Sequence, residues 1–296
     1  MILPFNRLNI SRKDFVLEIG SGHQPSYRSD VLCDKYLTNE ERGGSLIKDR
    51  PIFIADCHNL PFKDKIFDYV ISCQVLEHVK DPLRCCEELS RVGKKGYIET
   101  PTLFWEKLHP SRKYHRWCIL LIDDTLVFYS KDKCEQDSVF GKLFEIMYSN
   151  SLEYHLFFQS YKKFFEIKYE WYGKINCAVN HNDDYFQSFF LKSWGTKEYK
   201  RFYSERSFSK QVVDLIGNLL LTTLLFSLRK PSIVIGNILK EYRRKKLKID
   251  MENILACPQC KGDVRILPGE IRCLKCGAIF FYSDGIPDMD PENYVA

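Results

Sequence analysis

The 296-residue sequence contains no internal repeat and no low-complexity tract. Its opening, MILPFNRLNISRKDF, lacks the apolar core and small-residue cleavage site of a secretory signal. A strong charge of one sign is also missing. The net charge of +5 is too mild to argue by itself for a nucleic-acid partner. No run is long enough to span a bilayer: the most apolar stretch, VVDLIGNLLLTTLLFSL (212–228), falls short of the roughly 20 residues a spanning helix needs. A disulfide framework is absent too. Of twelve cysteines, eight (33, 57, 73, 85, 86, 118, 134 and 177) share no spacing, as expected in a reducing compartment. These absences predict a cytoplasmic protein.

What is present is enough apolar sequence, 45% of residues, for one large core and a smaller module. Up to about residue 101, short apolar runs alternate with polar or helical stretches. DFVLEIG (14–20), VLCDKY (31–36), IFIADC (52–57), FDYVISC (67–73) and GYIETP (96–101) read as buried strands. Leu83, Cys86, Leu89 and Val92 mark one face of a helix, begun by Asp81-Pro82 and ended by Gly93. Strands alternating with helical patterns predict an α/β fold, a Rossmann-like doubly wound and mostly parallel sheet. WCILLIDDTLVFYSK (117–131) reads as a hairpin around Asp123-Asp124-Thr125, and 139–163 as helical. FFEIKYEWYG and KINCAVN (164–180) read as an antiparallel strand pair joined at Gly173-Lys174. The predicted divisions are residues 1–180, an apolar and basic linker region at 181–250, and a small module at 251–296.

In such sheets ligands sit at the carboxyl ends of the strands. Gly20-Ser21-Gly22 follows the first strand, where missing side chains let a ligand approach the backbone. Asp34 ends the second strand and suits ribose hydroxyls. Asp56 and Cys57 end the third, before Leu60-Pro61-Phe62, and suit an adenine ring. Gln74 follows the fourth, ahead of Glu77-His78. Singly, each is also an ordinary turn or cap residue; the ordered set is what points to a cofactor.

VLEIGSG, DKY, ADCHNLPFKDKIFDYVISCQVLEHV and GYIETP resemble the class I S-adenosylmethionine-dependent methyltransferases of the type 11 group, over about residues 14–101 and more loosely to about 180. The resemblance implies that Glu18, Gly20 and Gly22 line the methionine part of S-adenosylmethionine. It implies further that Asp34 holds the ribose, that Asp56 and Cys57 face the adenine, and that Gln74 closes the site. One departure is visible: His23-Gln24-Pro25 and the short distance to Val31 leave no room for the usual long helix after the first strand.

Methyl transfer from a sulfonium is mainly a matter of alignment, and a hydroxyl acceptor gains from a base where a carboxylate does not. The loop HPSRKYHRW (109–117), after the fifth strand, offers His109, Tyr114, His115 and Arg116 as acceptor-side catalytic candidates, with Arg112 a further anion-binding candidate. A solvated loop capping the hairpin explains the same residues equally well.

Cys257-Pro-Gln-Cys260 and Cys273-Leu-Lys-Cys276, 12 residues apart, have the spacing of a tetrahedral four-cysteine structural zinc site; a redox pair is the alternative. ILACPQCKGDV and IRCLKCGAIFFYSDGIPDM resemble the small zinc-ribbon activator subunits that dock on methyltransferases, here fused to the chain. Residues 212–248 leave two readings open. One is buried packing or an oligomer contact. The other is peripheral membrane contact, because eight Lys or Arg and one Glu fill 229–248. The sequence thus predicts methyl transfer to a hydroxyl or carboxylate of a small-molecule or glycan-type acceptor, including a lipid-linked one. Transfer to tRNA or rRNA is a second reading, with nucleic acid less favoured because 243–248 lacks interleaved aromatics. An inactive scaffold that recruits a partner through the ribbon is a third.

Overall fold

The computed structural model describes residues 8–38, 44–109, 114–133, 138–180, 207–227 and 249–293. The chain divides into two units: Met1–Glu99 with Lys168–Cys177 and Gly236–Ala296, and Thr100–Ile167 with Ala178–Ile235.

The first unit is built on a six-stranded sheet. Its strands are β1 (Val16–Ile19), β2 (Val31–Asp34), β3 (Ile52–Ile54), β4 (Tyr69–Cys73), β5 (Lys95–Pro101) and β8 (Glu166–Tyr172), in the order β3-β2-β1-β4-β5-β8. β1 pairs in parallel with both β2 and β4, so Glu18 lies opposite Leu32 on one side and Ile71 on the other. The chain order reverses at β1, which makes the β1–β4 boundary the switch point where ligands enter such sheets. The first three strands are buried throughout, as strands covered on both faces must be. Their side chains form two clusters, Val16-Tyr69-Ile71-Tyr97 and Leu32-Leu46-Ile52-Ile54. Helix α1 (Pro82–Val92) starts and stops as its sequence predicts. Asp81 accepts the Arg84 N–H at 3.1 Å, and Gly93 donates to the Leu89 carbonyl.

Between Gly20 and Asp30 there are turns and no helix. Side chains hold the loop instead. Glu18 accepts from the Ser26 amide (2.8 Å) and the Ser29 hydroxyl, and Asp30 accepts the Val16 amide at 3.0 Å. Arg50 donates to the carbonyls of Ser26 and Ser29.

Residues 251–293 complete this unit. A short helix, α7 (Met251–Ile254), precedes a four-stranded antiparallel sheet of β10 (Val264–Leu267), β11 (Glu270–Cys273), β12 (Ile279–Ser283) and β13 (Ile286–Pro287). This small sheet is not a free appendage. The Met289 amide donates to the Ile54 carbonyl at 2.8 Å, beside a parallel bridge between Ile54 and Asp288. Ile286 joins the Leu32-Leu46-Ile52-Ile54 cluster. The segment therefore covers the outer edge of β3, an edge that would otherwise offer unpaired backbone to other chains. Ala256 donates to the Pro61 carbonyl and Lys63 to the Ile254 carbonyl. Lys261 reaches Glu88 on α1 at 2.9 Å.

The second unit contains the predicted hairpin, β6 (Trp117–Ile122) and β7 (Thr125–Ser130), turning through Asp123 and Asp124 at φ of 45° and 61°. Its described helices are α2 (Leu103–Leu108), α3 (Ser138–Asn150), α4 (Leu152–Ser160), α5 (Lys162–Phe165) and α6 (Phe208–Ser227). One expectation changes. The strand after Gly173, β9 (Cys177–Val179), does not form a pair with β8. Apart from a bridge between Tyr172 and Lys174, it leaves and joins the β6–β7 hairpin, where Asn180 donates to the Phe128 carbonyl. A two-residue turn signal shows that the chain reverses; it does not say which edge the next strand meets.

Candidate cofactor site and four-cysteine centre

The loop after β1 is shaped by two glycines in the left-handed region, Gly20 at φ 67° and Gly22 at φ 50°. A Cβ on Gly20 would sit 2.3 Å from the Val75 side chain, so nothing larger fits there. A Cβ on Gly22 would meet only the Gly20 carbonyl, at 3.9 Å, leaving open space beside that backbone. The loop is tied to β2: Gly20 and Ser21 donate to the Cys33 carbonyl, and Gly22 donates to the Asp34 carboxylate at 2.8 Å. The Asp34 carboxylate also accepts the Tyr36 amide. The hydroxyls of Ser21, on the loop, and Ser72, in β4, are buried and have no hydrogen-bond partner among the described residues. Buried hydroxyls normally find one.

Glu18 is buried in β1, and burial pushes its carboxyl up to about 7, against the lowering effect of Ser29, Ser26 and Arg50. Asp56 caps the short turn at Cys57–Asn59 and accepts from the His58 amide and ring and from Lys35 at 2.6 Å. Burial opposes its charge, but His58 and Lys35 together hold it well below the usual carboxylate range. Cys57 is buried beside Cys85. Gln74 follows β4 in the left-handed region at φ 56°, its amide donating to the Glu99 carbonyl. Glu18, Gly20, Gly22, Asp34, Asp56, Cys57 and Gln74 thus all lie at strand ends of the first unit. Sequence reasoning missed Lys35, His58 and Asp290, whose carboxylate feels the charges of Asp56 and Lys35. Asp290 lies far along the chain, with no local signal to find it.

The acceptor-side candidates lie in the second unit and separate into distinct settings. His109 is buried, its ring stacked on Trp105 with centroids 3.6 Å apart and bonded to the Trp105 carbonyl and the Tyr154 hydroxyl. Tyr114 and Arg116 are exposed. His115 differs from all three. Its Nδ1 lies 2.6 Å from Glu106, whose other oxygen accepts from Lys131 at 2.6 Å. Glu106 is only 1% exposed, so this Lys131-Glu106-His115 chain is a buried, charge-assisted network. Glu106 and Lys131 were not foreseen; they stand 9 and 25 residues from their partners in the network. Arg112 lies outside the described residues.

The four cysteines of residues 251–293 converge. Cys257 and Cys276 sulfurs are 3.8 Å apart and those of Cys260 and Cys273 are 3.4 Å apart, with all four within 4.8 Å of one another. Sulfurs each about 2.3 Å from a tetrahedral zinc stand at roughly this separation. The Cys273 sulfur accepts the amides of Lys275 and Cys276. Burial opposes its thiolate, yet those amides bring it down to about 7. A Cβ on Gly262 would meet the Lys275 Cβ at 2.6 Å and the Cys260 sulfur at 3.2 Å, so the knuckle closes only on glycine. The donor set fits a structural zinc with no open coordination position.

Residues 33–98 match the family model described as a methyltransferase domain. The match begins inside β2, after the glycine loop. No curated protein matches the chain. Among solved structures, the chain is 21% identical to a protein in a complex between the Haloferax volcanii Trm112 methyltransferase activator and a methyltransferase (32% of this chain, 48% of that one, TM-score 0.26). It is 22% identical to an S-adenosylmethionine-dependent methyltransferase of Thermotoga maritima (32% and 46%, TM-score 0.25). It is 17% identical to the YcgJ protein of Bacillus subtilis (36% and 57%, TM-score 0.28). The chain thus spans about half the length of the structures it matches. The parallel sheet has a Rossmann-like strand order, and the stretch that matches the methyltransferase-domain model, residues 33–98, lies within it.

Proposed function

We propose that the first unit binds S-adenosylmethionine at the β1–β4 switch point and that the chain transfers its methyl group to an acceptor of small-molecule or glycan type. The observation that carries this reading is the loop after β1. It has two left-handed glycines, open space at Gly22, and, at the ends of neighbouring strands, the hydroxyls of Ser21 and Ser72, partnerless among the described residues. S-adenosylmethionine supplies a methyl group already activated by its sulfonium, so the residues around it bind and align. Glu18 faces the ammonium, whose charge favours the ionised carboxylate. Asp34 accepts from the ribose hydroxyls. Asp56, fixed by Lys35 and His58, stands at the adenine beside Cys57, and Gln74 closes the site. The zinc of the four-cysteine centre holds the fold and takes no part in chemistry. For a hydroxyl acceptor the base is His115, its ring oriented by Glu106; a carboxylate acceptor needs none.

Calorimetry on the zinc-loaded full chain tests the donor site. A single S-adenosylmethionine site is expected, and no binding refutes the reading. Asp34→Ala should weaken binding at least ~10-fold, since it removes both the ribose acceptor and the anchor of the Gly22 amide. Unchanged affinity would remove the ribose assignment. With a hydroxyl acceptor, His115→Asn should cost about 10²- to 10⁴-fold in turnover at unaltered S-adenosylmethionine affinity.

A further inference from the structure

Helix α6 is built inside out. Asp214, Asn218 and Thr222, four residues apart, form one polar stripe, and it is this stripe that turns inward. Asn218 donates to the Ser160 hydroxyl of α4 at 3.2 Å, and Thr222 is buried. The apolar residues whose exposure is described point away. Phe208 is 82% exposed, Val213 68% and Leu220 64%, with Val212, Leu215, Ile216 and Leu219 exposed beside them. At 100° per residue these side chains spread over an arc of about 160°, wider than a helix needs to pack on a single neighbour. The hydroxyl of Thr223, on the same side, turns back to the carbonyls of Leu219 and Leu220 at 2.9 and 3.0 Å. A hydroxyl satisfied within its own helix suits a surrounding that offers no water.

We propose that α6 is a membrane-surface helix that seats its apolar side in an anionic lipid bilayer. Three observations select a bilayer over other coverings. The arc is broad and lacks charge across its exposed centre. No described helix is long and apolar enough to cross a membrane, so the helix lies on the surface. The sequence immediately after it holds eight Lys or Arg and a single Glu between 229 and 248, complementary to anionic headgroups. The inference does not depend on methyl transfer.

The test is vesicle co-sedimentation of the full chain, with phosphatidylglycerol and with phosphatidylcholine vesicles. The natural sequence should bind phosphatidylglycerol vesicles at least ~10-fold more tightly than phosphatidylcholine, an advantage that shrinks as salt is raised. The double variant Ile216→Asp with Leu220→Asp should lose at least ~10-fold in binding to phosphatidylglycerol. The quadruple variant Arg243→Gln, Arg244→Gln, Lys245→Gln and Lys246→Gln should remove the preference for anionic lipid. Far-UV circular dichroism checks that the variants fold, which exposed positions favour. Absence of vesicle binding, or binding unaffected by the double Asp variant, overturns the proposal. So does a dimer in sedimentation velocity that the double variant dissociates while vesicles are ignored; that result would assign the face to a second copy of the chain.

Discussion

Glu18 illustrates what burial does to a single group. Its carboxyl, ordinarily near 4.5, is raised to about 7 by desolvation in β1. The folded chain therefore binds this proton more tightly than the unfolded chain. Its contribution to stability is complete below pH 4.5, declines as pH rises towards 7, and is level above that. The difference is worth about 3 kcal/mol. Glu18→Gln cannot ionise, so its urea-unfolding free energy should fall less than that of the natural sequence across this window, the remaining fall coming from Asp30, whose carboxyl burial raises to about 6, and should exceed that of the natural sequence at pH 8. Parallel pH profiles for the two proteins would show that Glu18 is ionised throughout. A bound ammonium should draw the proton off, so S-adenosylmethionine binding should release protons, visible as a buffer-dependent calorimetric enthalpy that Glu18→Gln lacks. The raised carboxyl would thus link the stability of β1 to S-adenosylmethionine binding beside it.

At the scale of elements, the contact between α1 and the small antiparallel sheet turns on Glu88. Its carboxylate accepts the Leu60 amide at 2.7 Å, Arg91 and Lys261. Burial opposes its charge, but Arg91 and Lys261 hold it below the ordinary range. Removing the carboxylate leaves two cations and an amide without it, so Glu88→Ala should cost about 3–5 kcal/mol. Lys261→Ala loses one donor of several and should cost less. A double-mutant cycle read by urea unfolding gives their coupling; a value near zero would mean the ion pair does not join the two elements. Much at this scale was readable beforehand. The five strand runs, the Asp81 cap, the Gly93 stop and the 117–131 hairpin all carry local signals, as do the paired CxxC turns. The loop at 20–30 was readable only in part. His23-Gln24-Pro25 announces that a helix is missing, but nothing nearby announces that Glu18, Asp30 and Arg50 do its work. The Glu106–His115 pair and the covering of β3 depend on contacts between distant residues, where neither period nor spacing leaves a mark. The inward stripe of α6 is different. Asp214, Asn218 and Thr222 stand at readable spacing, but polarity alone says which residues share a face and not which face meets protein.

For the whole molecule, the four converging cysteines are the point at which a bound metal would act on the first unit. A zinc held by the four thiolates would supply folding energy to a segment too small to have a core of its own. That segment covers β3 and adds Ile286 to the core around Leu32. Metal removal by a chelator at neutral pH should therefore lower the melting temperature of the parallel sheet, by more than ~5 °C, and should increase aggregation through the uncovered β3 edge. Scanning fluorimetry with and without chelator reads both. An unchanged transition would show that the small sheet is carried without supporting the large one.

The covering of β3 also sets a timetable. Ile54 finds its last backbone partner at Met289, so the sheet edge stays open while roughly 230 further residues are made. At ~5–20 residues per second that is some tens of seconds on the ribosome. Through that interval the nascent sheet must be sheltered by something other than itself. A zinc bound by the four cysteines would fix the segment that completes this edge.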